Sequence, residues 1–151
     1  MLEPGQKAPN FILPSHSEAT RSLEEFKGKN VILYFYPKDD TPGCTLESCG
    51  FRDHYEDFIK KNALILGVSR DSPASHRRFR DKYNLPFDLL SDESGGVCQA
   101  YGVWGERSMY GKTFFGILRS TFLIDTQGVI KNCWYNVKVP GHIPAVLTAL
   151  S

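Results

Sequence analysis

The stretch YFYPKDDTPGCTLESCG, residues 34–50, sets two cysteines, Cys44 and Cys49, five positions apart just beyond an apolar run. This is not the C-x-x-C spacing of a thioredoxin-type redox pair. Thr41-Pro42 reads as a helix start, with Thr41 as the cap and Pro42 as the first helical residue. Cys44 then falls in the first turn, where backbone N–H groups lack intrahelical acceptors and the helix dipole favours negative charge. Such a setting favours the thiolate, the reactive form of cysteine. Cys49 projects about 140° around the helix from Cys44, with the two Cα atoms roughly 8.6 Å apart. A disulfide needs Cα atoms within about 7 Å, so the pair bonds only once the helix start unwinds. That geometry suits a two-step cycle in which Cys44 reacts in the ordered turn and Cys49 attacks the product after local unfolding. The competing reading is that both are small buried hydrophobes.

The elements around the pair are those of an open α/β sheet. NVILYFYP, 30–37, and ALILGVS, 63–69, are continuous apolar runs of the kind buried on both faces. Between them Phe51, Tyr55, Phe58 and Ile59 form one stripe of an amphipathic helix, giving a βαβ unit with a parallel strand pair. The cysteine turn therefore lies at the C-terminal end of a parallel strand, where sites in such sheets gather. Ser72 and Pro73 start a second helix that runs to about Tyr83, and a short helix is expected near Gly96–Tyr101. STFLID and VIKNCWY around TQG predict a hairpin, PNFILP and TRSL an outer hairpin, and 143–150 a last helix. The fold class is α/β, a mixed central sheet flanked by helices, in one domain spanning 1–151.

Composition narrows the function classes. The chain of 151 residues is 41% hydrophobic and 23% charged with a net charge of +1, which gives no ground for nucleic-acid or membrane attraction. The basic run His76-Arg77-Arg78-Phe79-Arg80 reads as a solvated helix face. No apolar run approaches the roughly 18 residues of a membrane span, and MLEPGQKAPN has no signal-peptide core, so a cytoplasmic protein is expected. There thiols stay reduced unless they do redox or metal work. Cys98 and Cys133 lack the paired spacing of a zinc ribbon, the histidines at 16, 54, 76 and 142 form no ligand motif, and Asp39-Asp40 reads as an ordinary acidic turn rather than a metal loop. No metal and no cofactor are expected.

PKDDTPGC resembles the active-site pattern of the peroxiredoxins: Pro, three residues, Thr, two residues, Cys. TLESCGFRD is similar to the bacterioferritin comigratory protein, or peroxiredoxin Q, branch; GQKAPNFILP and YGVWGERSMYGKTFFGILRSTFLID extend the likeness over nearly the whole chain. His142 also falls where that branch often carries a histidine. The resemblance implies a thioredoxin-like fold and a thiol peroxidase of antioxidant defence that reduces hydrogen peroxide and organic hydroperoxides. It implies Cys44 as the attacking thiolate, oxidised to sulfenic acid. Cys49 is then the resolving cysteine, which closes an intramolecular disulfide, and Arg119 in LRSTF is the activating cation. Thr41 would place its hydroxyl on the peroxide and Pro37 would shield the sulfur. The N–H groups of Gly43 and Cys44 would bind the departing oxygen. Thioredoxin, or glutaredoxin, would restore the thiols, and a monomer is expected. Tyr110, Phe114 and Phe115 either line an apolar wall for alkyl peroxides or serve packing. A disulfide oxidoreductase acting on proteins and a non-enzymatic redox sensor are the other classes open to such a pair.

Overall fold

A computed structural model of the protein describes residues 2–150. In chain order the strands are β1 (Ile12–Pro14), β2 (Thr20–Ser22), β3 (Asn30–Phe35), β4 (Ala63–Ser69), β5 (Asp88–Ser91), β6 (Trp104–Met109), β7 (Lys112–Ile117), β8 (Ser120–Ile124) and β9 (Ile130–Trp134). The helices are α1 (Pro42–Asp53), α2 (Tyr55–Lys60), α3 (Pro73–Tyr83), α4 (Gly96–Ala100) and α5 (His142–Ala149), and a 3-10 turn covers Leu23–Phe26.

Five strands make the central sheet in the order β5-β4-β3-β8-β9. The β3–β4 and β4–β5 pairs are parallel, and β3–β8 and β8–β9 are antiparallel. Side chains alternate across a strand, so β3 feeds two cores. Val31, Leu33 and Phe35 pack with Leu66, Val68, Phe122 and Tyr101 on one face. Ile32, Tyr34 and Tyr36 pack on the other with Phe51, Phe58, Phe79 and Val146, which come from α1, α2, α3 and α5. Burial on both faces is why β3 and β4 read as unbroken apolar runs.

Two elements differ from the sequence expectation. The helix across residues 42–60 breaks at His54 (φ −106°, ψ 11°) into α1 and α2. The break turns Phe58 inward onto Phe51, ring centroids 5.8 Å apart, and swings Ile59 out to solvent. In α3, Arg77 and Arg78 are exposed as expected of a solvated face, but His76 is fully buried. The start of α3 follows its sequence signal, with the Ser72 hydroxyl accepting the Ser75 N–H at 3.1 Å.

The hairpin β6–β7 carries no regular apolar alternation, and its signal is the two-residue loop Tyr110-Gly111, with φ of 54° and 76°. Positive φ at both positions is the type I′ geometry that matches strand twist. β5, only four residues long, pairs with β4 and closes that edge of the sheet. Among the described residues no helix is long and apolar enough to cross a membrane.

Candidate active site

Cys44 is the third residue of α1, buried in the same core cluster as Phe51. The first bond of the helix runs from the Thr45 N–H to the Thr41 carbonyl at 2.8 Å, which leaves the N–H groups of Gly43 and Cys44 ahead of the intrahelical ladder. Thr41 occupies the cap position with extended backbone, but its side chain makes no cap hydrogen bond. The hydroxyl instead donates to the Lys38 carbonyl at 2.8 Å, closing the loop that leads from β3. This corrects the capping role expected of its side chain.

Arg119 sits in the short link between β7 and β8, at the end of the sheet where β3 delivers Pro37. Its Nη2 donates to Cys44 Sγ at 3.3 Å, and its Nη1 donates to Glu47 Oε1 at 2.7 Å. Burial opposes the charge on Arg119, yet Glu47 and Cys44 outweigh it and hold the guanidinium above its ordinary value. A Cβ on residue 43 would lie 3.1 Å from Arg119 Nη2, so glycine there lets the guanidinium close on the sulfur. Pro37, Thr41, Gly43, Cys44 and Arg119 line one open cleft of about 730 Å³. Phe114, Phe115 and Trp104 form its apolar side, while Tyr110 stands exposed at the hairpin tip and takes no part.

Cys49 is not in that cleft. It lies half-buried farther along α1, and all four cysteines are free thiols. Burial, with help from Asp53 and against Arg52, raises its thiol above the ordinary value. Glu47 is the site residue that the sequence reading passed over. It follows Cys44 by three positions, so it shares its helix face, and that spacing was the available signal.

The sequence profile described as the AhpC/TSA family matches residues 4–133. The chain belongs to the AhpC/TSA family. It is 53% identical over 149 residues to a putative peroxiredoxin bcp of Coxiella burnetii, covering 99% of each chain. It is 47% identical to peroxiredoxin Bcp of Bacillus subtilis, covering 99% of this chain and 95% of that one. Among solved structures, a cysteine-to-serine mutant of Xylella fastidiosa PrxQ superposes with a TM-score of 0.93 at 38% identity, over 99% of this chain and 96% of the other. The bacterioferritin comigratory protein of Xanthomonas campestris, studied for alkyl peroxide reduction, gives 0.91 at 41% identity, over 98% and 97%. The fold is thus thioredoxin-like, and the chain is a peroxiredoxin, a peroxidase of the oxidoreductase class.

Two buried groups under the influence of the Arg119 charge are expected to give this peroxiredoxin opposing pH responses. Burial pushes the Glu47 carboxyl up to about 7 against the pull of Arg119, and among the described residues its Oε2 has no hydrogen-bond partner. His142, its Nε2 2.8 Å from Thr121 Oγ1, is lowered to about 4 by burial and then by the Arg119 charge. A raised carboxyl contributes stability that is whole below its unfolded value of 4.5 and is lost as pH rises through about 7. A lowered histidine contributes stability that is whole above 6.5 and is lost as pH falls through about 4. Between about pH 4.5 and 6.5 the two slopes oppose each other. Glu47→Gln is expected to make stability, relative to wild type, rise with pH across this window, and His142→Asn to make it fall. The Glu47 component is on the order of 3 kcal/mol in full. Urea midpoints at three pH values measure both slopes, and parallel curves for all three proteins would contradict the assignment.

Proposed function

We propose that this chain is a thiol peroxidase acting on hydrogen peroxide and alkyl hydroperoxides through Cys44, with Cys49 as its resolving thiol and thioredoxin as its reductant. The observation that carries the reading is the Arg119 guanidinium, 3.3 Å from the Cys44 sulfur inside a cleft that Thr41 and Pro37 also line. A permanent cation beside the sulfur can polarise a peroxide lying against it and stabilise the charge that passes to the departing oxygen. The Cys44 thiolate attacks the terminal peroxide oxygen; a sulfur–oxygen bond forms as the O–O bond breaks, leaving a sulfenic acid on Cys44, and the other oxygen departs with the O–O electron pair as alkoxide or hydroxide. That oxygen, held by the first-turn N–H groups and Arg119, takes a proton from solvent and departs as alcohol or water. The apolar side made by Phe114, Phe115 and Trp104 supports alkyl substrates, in keeping with the alkyl peroxide reduction studied for the Xanthomonas relative.

Resolution follows when the Cys49 thiolate attacks the sulfenic sulfur and expels hydroxide, which leaves as water, closing a disulfide. A partner dithiol then opens the disulfide by exchange. Both thiols belong to one helix, so the proposed working unit is a monomer, and cytoplasmic residence is part of the same proposal. One equivalent of hydrogen peroxide added to reduced protein, followed by peptide mass mapping, is the test. A bond joining 44 to 49 is the expected product. Persistent free thiols would sink the peroxidase, and an oxidised Cys44 without that bond would sink the resolving step.

A further inference from the structure

The loop between β3 and α1 carries the acidic pair Asp39-Asp40, neither of which lines the cleft at Cys44. Asp39 is buried, and its carboxylate accepts three hydrogen bonds: from the Tyr36 hydroxyl at 2.6 Å, the Ser75 hydroxyl at 2.8 Å and His76 Nδ1 at 2.7 Å. Its backbone N–H donates to Asp71 Oδ2 at 2.9 Å, an oxygen that also accepts the Ser69 hydroxyl at 2.6 Å. His76 is wholly buried, and its Nε2 lies 2.9 Å from the Leu90 carbonyl, so one ring ties the loop to β5 as well as to α3. Asp39, Asp71 and His76 bring ligand atoms within 4.8 Å of one another, as a metal cluster would. Here those oxygens are already taken by O–H and N–H donors, and the cluster is a hydrogen-bonded tie.

The next residue grips the same helix farther down. Asp40, in the left-handed region at φ 56°, accepts from Lys82 Nζ at 2.8 Å and from the Tyr83 hydroxyl at 2.7 Å. At the far end of α1, Arg52 Nη1 donates to the Tyr83 carbonyl at 2.8 Å. The segment that must unwind for Cys49 to reach Cys44 is therefore fastened to α3 on both sides. Of these fastenings the Asp39–His76 pair is the buried one, and exposed ion pairs such as Asp40–Lys82 contribute little by themselves.

We propose that Asp39 and His76 are positioning residues for the peroxide reaction. They fix residues 36–41 to α3 and β5, hold Pro37 and Thr41 at the cleft, and confine unwinding to residues 42–51. The confinement rests on the resolving scheme above; the positioning of the cleft does not.

Asp39→Asn and His76→Gln test both parts. Rapid quenching with hydrogen peroxide gives the rate of Cys44 oxidation and, separately, the rate of 44–49 disulfide formation. Hydrogen exchange of peptides covering 36–41 and 42–51 gives the extent of unwinding. In each variant oxidation is expected to slow at least tenfold, since small displacements of positioning groups are costly. Disulfide formation is expected to quicken, and exchange to spread into 36–41. A variant that is merely destabilised would instead lose protection throughout the chain, in peptides far from 36–51 as much as in 36–41. Oxidation within twofold of wild type in whichever variant folds would overturn the proposal. So would wild-type 36–41 losing protection along with 42–51 on oxidation. A wild type that oxidises at Cys44 yet never forms the disulfide would instead refute the resolving scheme, and the oxidation rates would still judge the positioning.

Discussion

Cys44→Ser is expected to reduce peroxide turnover to the uncatalysed background. The Arg119 guanidinium lies 3.3 Å from the Cys44 sulfur, and a serine hydroxyl put in that sulfur's place is a neutral, weak nucleophile. Nothing else in the cleft can replace it, because Pro37, Thr41, Gly43 and Arg119 offer no second thiol. Cys49→Ser should behave differently. Each chain consumes one peroxide and stops at the sulfenic acid, which excess peroxide drives on to the sulfinic acid. Substitution by the remaining thiols is disfavoured at Cys98, where burial and the neighbouring Asp92 hold the thiol well above its ordinary value. Cys133 is likewise raised by burial and by Glu3. Coupled thioredoxin turnover and intact mass after one equivalent of peroxide separate the two variants. Full turnover in a chain lacking Cys49, Cys98 and Cys133 would end the resolving scheme.

How much of this was legible in the sequence depended on whether the signal was local. β3, β4, the start of α3 and the hairpin β8–β9 each rest on a run, a cap or a turn within a few residues, and each forms where expected. The Cys44 turn was legible for the same reason, since a helix start is written in Thr41-Pro42. Long-range events were not. The buried state of His76 is decided by Asp39, 37 positions away, and by Leu90, and no periodicity within α3 encodes that meeting. Glu47 offered only its three-residue offset from Cys44 as a local signal, while its buried partner Arg119 lies 72 positions away. Thr41 shows a second kind of miss: the position was right and the partner wrong, because the Lys38 carbonyl competes successfully for its hydroxyl. The β6–β7 hairpin was obscured because neighbouring Phe114 and Phe115 both line the cleft and both stay exposed, so no apolar alternation marks the strand.

Arg119→Met is expected to slow oxidation of Cys44 by about 10²- to 10³-fold, the range found when one donor to a developing anion is removed. The guanidinium serves two anions through separate nitrogens, Nη2 to the sulfur at 3.3 Å and Nη1 to Glu47 at 2.7 Å. Methionine fills similar space but supplies neither charge nor donor. Arg119→Lys should recover only part of the rate, because an ammonium is a point charge that cannot span the sulfur and the carboxylate in one fixed plane. Removing the cation also leaves Glu47 fully buried without its partner, and a stranded carboxylate is a source of instability unrelated to chemistry. Arg119→Met combined with Glu47→Gln removes both charges at once. Its fold should be closer to wild type than that of the single variant, while its oxidation rate stays low. Stopped-flow rates at several peroxide concentrations decide the matter. If the double variant oxidised within threefold of wild type, the slow single variant would reflect a damaged fold, and Arg119 would have no claim on the peroxide.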